Sequence, residues 1–578
     1  MREFAKAGTM ARMPRLSLAA VPLLVGCTSP EYQAWQEENA KYASSGRTSG
    51  DVVTTGELPA GSTGDDDAAT GSAGPGTASA GDTTASVDEN SGDASAAGDT
   101  TAEPVDPSIG DAEKPEIVAV ELPANVYAAG PVPLTVQALR TGAVLVRLDG
   151  VDAGELLVAG EGLFTGELAV HGAMDNGPHE VEIVARQGNY EDSRITEYDV
   201  STPAPGTAAW SMAGPDGSRT NRVALTPEGD LIEVGHTEIG GVPRPTIRKR
   251  SSVTGAELWP EKAIILDTRE GTVVDVAVLP DGRMWVAMNV HAPNTAPLPR
   301  IVLLGADGHE VGIEVIGTAG RVVRALAADA DGGCFAVGLA GVMGDWDIAY
   351  WAVNAEGVQT LGDTYDYAPP PHPPHSFLDL ANDVVLEGDV AWIVGASDGK
   401  HDSNVNDNFL RGILVPMDVH TGKIAGPVIV APPVNQWLQS AFFGATLGSE
   451  GIVVTGYGCD ETCSKYRIET SRYSIYGERT WFSTETSNNG VAYGSDVALD
   501  SQGRALVAGA VTQTGKLRGY VFGREADEAG PILLEHWYPG VGPSESLGIV
   551  RDSYDRIFLA GYITVSGKTQ ARITLIHG

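Results

Sequence analysis

The sequence predicts an all-β protein in two bodies, a small β-sandwich followed by a seven-bladed β-propeller that its own N-terminal strand closes. Three observations predict it. Apolar and polar residues alternate with period two through residues 114–203. A hairpin pattern then recurs seven times over residues 204–578, ending in Gly in six of the seven units. Finally, 72 glycines in 578 residues favour turns and small side chains, and a chain that is 42% hydrophobic can still bury a sizeable core. The net charge of −38 lacks the basic footprint of nucleic-acid binding or of a basic membrane-surface binder.

Residues 1–26 read as a processing signal. Arg2, Lys6, Arg12 and Arg15 precede an apolar run from Leu16 to Val25 that is too short to span a bilayer. The run ends in Leu24-Val25-Gly26-Cys27, which resembles the bacterial lipobox. That resemblance implies cleavage before Cys27 and acylation of its thiol, so the chain is identified as an exported lipoprotein, on the outer membrane or cell surface rather than the inner membrane. Met1, Met10 and Met13 remain alternative starts. Residues 27–43 form the mature N-terminus. Residues 44–113 are Gly, Ser, Thr, Ala and acids such as Asp65, Asp66 and Asp67, too poor in apolar groups to offset the entropy of ordering. A flexible coil of that length spans about 45 Å, enough to lift a folded body off a membrane.

Residues 114–203 carry the sandwich pattern. Leu134, Val136 and Ala138; Val144, Val146 and Leu148; Leu168 and Val170; and Val181, Ile183 and Ala185 alternate with polar residues, between turns at Gly130-Pro131, Asp149-Gly150 and Asn176-Gly177. The pattern resembles the bacterial Ig-like modules of secreted proteins, without the disulfide of antibody domains. His171 and His179 read as loop residues and not as ligands.

Residues 204–578 carry the repeat: an apolar strand, a tight acidic-Gly turn and a second apolar strand. The units run from Val223 to Gly235, Val276 to Met288, Leu326 to Gly338, Val384 to Gly395, Ala445 to Gly456, Val497 to Gly509 and Ile549 to Gly561. Their closing residues are 50 to 61 apart, and further strands such as Arg300–Leu304 bring each unit to four. The last unit has only three strands before Gly578, and Ala208–Met212, similar to the strands around Trp481 and Trp537, supplies the fourth. The unit resembles the secreted bacterial seven-bladed propeller repeat, and its Thr254-Gly255 to Trp259 turn is similar to the quinoprotein-like repeat. That resemblance implies a fold and not a chemistry. Quinoprotein dehydrogenases carry a vicinal disulfide, and the sequence has no Cys-Cys pair.

The turns inside the repeated hairpin and between third and fourth strands read as short, and the other two connections as long, so variable chain should gather on one face. Candidate ligand-binding residues there are Asp345, Asp347, His372, Asp402, Trp437 and Tyr493. Asp402, Asn404 and Asn406, with Asp398, have the oxygen spacing of a calcium loop, although Asp407 stands in the usual Gly place and Ile413 in that of the bidentate acid. No cofactor is expected, with calcium at those four residues as the alternative. Cys459 and Cys463 read as a local disulfide, and Cys334 as a buried apolar residue. The expected function is a monomeric binding or scaffolding module for a protein or glycan of the envelope or extracellular space, held to the membrane by its lipid and binding no nucleic acid. The alternative is a secreted, glycan-active enzyme using Asp345, Asp347 and Asp402.

Overall fold

The computed structural model describes residues 114–578 apart from 172–174, 294, 343–344, 368–377, 399–409, 435–436, 461–462, 487–489, 525–530 and 541. The expected signal peptide, Cys27, the tether, His372, Asp402, Asn404 and Asn406 lie outside the described residues. Every named element is a β-strand.

Residues 116–200 form two sheets. One orders Glu116–Glu121, Gly130–Leu139, Leu163–Val170 and Leu157–Gly160; the other orders Asn125–Val126, Tyr190–Val200, Gly177–Gln187, Ala143–Leu148 and Val151–Glu155. Because side chains alternate across a strand, one set from each sheet meets in a shared interior. Val132, Leu134, Val136, Phe164 and Leu168 of the first sheet pack with Val144, Val146, Val181, Ile183 and Tyr198 of the second. His179 is not in a loop but on the strand Gly177–Gln187, because the chain crosses to the second sheet before it and pairs with Tyr190–Val200 from Gly177 onward, which sets His179 opposite Tyr198. Its Nδ1 lies 2.7 Å from Asp149 Oδ2 and its Nε2 2.5 Å from the Asp175 carbonyl. Burial works against its protonation, but these two acceptors outweigh it and hold the imidazole above its usual range.

From Ala208 onward the strands make seven four-stranded sheets among the described residues, six of them simple antiparallel meanders. Their innermost strands are Ser218–Leu225, Glu270–Val278, Val322–Ala328, Asp379–Glu387, Trp437–Gly448, Ala492–Leu499 and Ser544–Arg551. Each innermost strand packs on the next, and the seventh packs back on the first, so the series closes into a ring. Ala208–Asp216 pairs antiparallel with Lys568–Ile576, Trp210 opposite Leu575 and Met212 opposite Ile573, and so completes the last sheet with a strand from the front of the chain. This arrangement covers the edge of Lys568–Ile576, which would otherwise template pairing with other chains, and makes Ala208–Asp216 the outer strand of that sheet.

The second strands supply much of the core, as in the run Met284 to Met288, whose five side chains are all fully buried between neighbouring sheets. Connection lengths follow the expected rule in part. His291 to Leu298, Ser397 to Arg411 and Asp460 to Tyr466 bound long connections between second and third strands, but three sheets use two-residue turns there, at Gly240-Gly241, Thr514-Gly515 and Ser566-Gly567, where both residues of each turn have positive φ. Such turns match the twist of a hairpin and need no longer loop. Arg524 and Ile532 bound a longer connection on the opposite end, between third and fourth strands.

Candidate functional site

Each innermost strand breaks register with its neighbour at the same place, between Thr220 and Arg222, Val273 and Asp275, Val323 and Ala325, Ala381 and Asp383, Phe442 and Gly444, Gly494 and Asp496, and Ser546 and Gly548. A bulge inserts one residue, bends the strand and re-aims the side chain that follows. The residues after the bulges are therefore Arg222, Asp275, Ala325, Asp383, Gly444, Asp496 and Gly548, one per sheet. Aspartates occupy the second, fourth and sixth sheets and small residues the third, fifth and seventh.

Each aspartate joins two sheets. Asp275 accepts the N–H of Val276 on Oδ1 and that of Leu326, in the next sheet, on Oδ2, both at 2.8 Å. Asp383 accepts from Val384 at 2.9 Å and from Ala445 at 2.7 Å. Asp496 accepts from Val497 and Ile549, each at 2.9 Å. The small residues opposite leave the room that these cross-sheet bonds need. Arg222, in the first sheet, donates from Nη1 to the Leu547 carbonyl at 2.9 Å, and the same atom lies 3.0 Å from Asp496 Oδ2. Its Nε is 3.8 Å from Asp275 Oδ1. No Lys or Arg among the described residues forms an ion pair with Asp383.

These four charged side chains line a cavity of about 440 Å³ on the ring axis, with Leu326 and Ile549 among its apolar walls. The lining runs from the middle of the innermost strands to their final residues Leu499 and Arg551, so the cavity occupies the half of the axis nearer the short hairpin turns. The Arg222 guanidinium pairs with two of the three carboxylates, Asp275 and Asp496, and its charge also bears on Asp383. Burial pushes Asp275 up to about 6 and Asp383 up to about 7, against the pull of Arg222, and raises Asp496 as well. Burial also opposes the charge of Arg222, but Asp496, Asp383 and Asp275 outweigh it and hold the guanidinium protonated. Amide donors fix the carboxylates in place, so the arrangement suits holding positive charge at a set position.

The structure does not bring the sequence-predicted residues together in this cavity. Asp345 and Asp347 lie on the strand Asp345–Val353 of the third sheet, and Trp437 opens the innermost strand of the fifth. Tyr493 is a core residue, because its innermost strand already begins at Ala492; it is 4% exposed, with its ring edge-on to Phe443 at 6.1 Å. Cys459 and Cys463 form a disulfide with their Cα atoms 4.9 Å apart. Cys334 is buried, and burial pushes its thiol up. Among the described residues, no three His, Cys, Asp or Glu side chains group as a metal site. The sequence pattern passes over the axial aspartates because its apolar alternation starts these repeats one residue late, at Val276, Val384 and Val497. The available signal was an Asp-Val pair at the same place in alternate repeats.

No protein-family profile matches the sequence, and no curated protein matches it. Solved structures are similar to it at low identity. The polysaccharide lyase Uly1 is 11% identical with a TM-score of 0.39, covering 62% of this chain and 90% of its own. Sqt1 from Chaetomium thermophilum is 11% identical with a TM-score of 0.34, covering 62% of this chain and 95% of its own. The quinohemoprotein alcohol dehydrogenase from Comamonas testosteroni is 10% identical with a TM-score of 0.35, covering 64% of this chain and 76% of its own.

Proposed function

We propose that this chain is an exported, lipid-anchored binding module. In this reading an Ig-like sandwich and a seven-bladed propeller ride on an acidic tether from Cys27, and the propeller holds a cationic group of its partner on the ring axis. One observation carries the binding role: three buried carboxylates, each fixed by two backbone amides, surround a cavity of about 440 Å³ in which a single guanidinium pairs with only two of them. Asp383, which has no ion-pair partner among the described residues, is the group that an ammonium or guanidinium would meet. An amine on an envelope protein or on an amino-sugar polymer supplies that chemistry.

Titration calorimetry of the full chain with a lysine-rich peptide, a glucosamine oligomer and their N-acetylated forms tests the reading. Cationic probes should bind and acetylated ones should not, and Asp383→Asn should weaken binding about ten-fold or more, as truncating one partner of a buried charge pair does. Equal binding of charged and acetylated probes would sink it. The anchor is tested separately: Cys27→Ser should move the protein from the membrane fraction to the soluble one.

A further inference from the structure

A second group of carboxylates lies away from the axial cavity, at the opposite end of the fourth sheet. Asp379 is the first residue of the innermost strand Asp379–Glu387 and is fully buried. Its Oδ2 accepts the N–H of Tyr367 at 2.6 Å, while its Oδ1 is buried without a hydrogen-bond partner. Ser397, also fully buried, stands directly opposite on the second strand, and its hydroxyl bears on the same carboxyl. The residue after it, Asp398, accepts the N–H of Leu378 on Oδ1 and donates its own N–H to the Leu378 carbonyl at 3.2 Å. The two acids thus bracket Leu378, and the exposed Asp366 adds a third negative charge that bears on Asp379.

A buried carboxyl on which a half-buried one bears carries a large cost unless something positive offsets it. Among the described residues neither acid forms an ion pair. Arg411 is third in the cross-strand row Asp379, Ser397, Arg411, but it bears on Glu469 of the next sheet. Burial pushes Asp379 up to about 7 and Asp398 up to about 6, with Asp366 and Asp398 adding to the shift at Asp379. An unpartnered, fully buried carboxylate oxygen beside a second carboxylate is a position made for a cation. The groups that bear on Asp379 are the Asp398 carboxylate and the Ser397 hydroxyl, a hard oxygen set that suits calcium over softer transition metals.

We propose that Asp379 and Asp398 ligate a calcium ion at this end of the fourth sheet, with Asp379 Oδ1 as the inner ligand. The ion would tie the start of the innermost strand to the end of the second. This site is separate from the axial cavity and does not depend on the binding reading.

The test uses the full chain, stripped with chelator and titrated with calcium by calorimetry in 0.15 M sodium chloride. The wild type should show one saturable site and a thermal midpoint that rises with calcium. Asp379→Asn and Asp398→Asn should each weaken that site at least ten-fold. Both variants keep the acidic tether, so weak binding there is common to all three proteins. Asp379 is buried and its replacement risks the fold, so Asp398→Asn, at a half-buried position, carries the decision once circular dichroism shows native strand content. No saturable calcium binding by the wild type, or binding unchanged in a folded Asp398→Asn, overturns the proposal.

Discussion

Replacing Asp383 with asparagine should remove a large part of the pH dependence of stability. Asp383 is held at about 7 in the folded protein, against about 3.9 for an unfolded aspartate. A raised folded value means that the folded state binds the proton more tightly. The resulting stabilisation is complete below about pH 4 and is lost as the pH rises through 7. The shift of about three units corresponds to at most about 4 kcal/mol, of which about 2 kcal/mol disappears between pH 5.5 and pH 8. Asp275, at about 6, titrates in the same direction and contributes less than about 1 kcal/mol over that range. Asparagine keeps only one carbonyl oxygen, so either the Val384 or the Ala445 amide loses its acceptor, at about 1–3 kcal/mol at every pH. The variant should therefore be weaker than wild type at pH 5.5, with the gap narrowing towards pH 8. Urea denaturation followed by tryptophan fluorescence, in chelator and at several pH values, reads both curves. Asp379 adds a slope of the same sign, but it lies four residues along the strand, about 13 Å away, and cancels in the comparison. A wild type whose stability is flat or rises from pH 5.5 to 8, or a variant with the same slope, would refute the reasoning.

Arg222→Met should destabilise the ring by about 3–5 kcal/mol at pH 8, because Asp275 and Asp496 lose their counter-charge, and by less at pH 5, where Asp275, held at about 6, is protonated; urea midpoints at the two pH values check this. Gly395→Ala should cost about 1–3 kcal/mol, since an added Cβ would fall on the Leu380 carbonyl, whereas at Gly426 it would meet only Pro416 Cγ at 3.5 Å and be tolerated. Deleting residues 204–216 should leave the edge of Lys568–Ile576 unpaired and shift the size-exclusion profile, relative to the intact chain, towards larger species.

The local patterns were legible because they depend on neighbours in the chain. Alternation at Leu134, Val136 and Ala138, or at Val181, Ile183 and Ala185, faces those residues inward whatever the rest of the molecule does. The glycines that close the repeats mark the same physical constraint six times. Gly235, Gly338, Gly395, Gly456, Gly509 and Gly561 each oppose the residue just before a bulge, where a Cβ would strike the innermost strand's own backbone. Met288 holds that place in the second sheet, and nothing in the structure explains how it dispenses with glycine. The pairing of Ala208–Asp216 with the last strand could be read from the resemblance of its tryptophan to Trp481 and Trp537.

The axial cavity could not be read in that way. Asp275 bonds to Leu326, 51 residues away, Asp383 to Ala445, 62 away, and Asp496 to Ile549, 53 away. Each distance is one turn of the repeat, so these bonds exist only once consecutive sheets stand side by side around an axis. Asp379 and Tyr493 show the same division at smaller scale. Both sit where a connection meets a strand, and whether such a residue faces solvent or the interior depends on where the strand begins. That point is set by hydrogen bonds to the neighbouring strand and not by the residue itself. The sequence thus determined which segments become strands and how often they recur, because periodicity and turn chemistry are local. Which carboxylates share an arginine, and which oxygen is left without a donor, was decided by ring closure, which brings distant repeats within hydrogen-bonding distance.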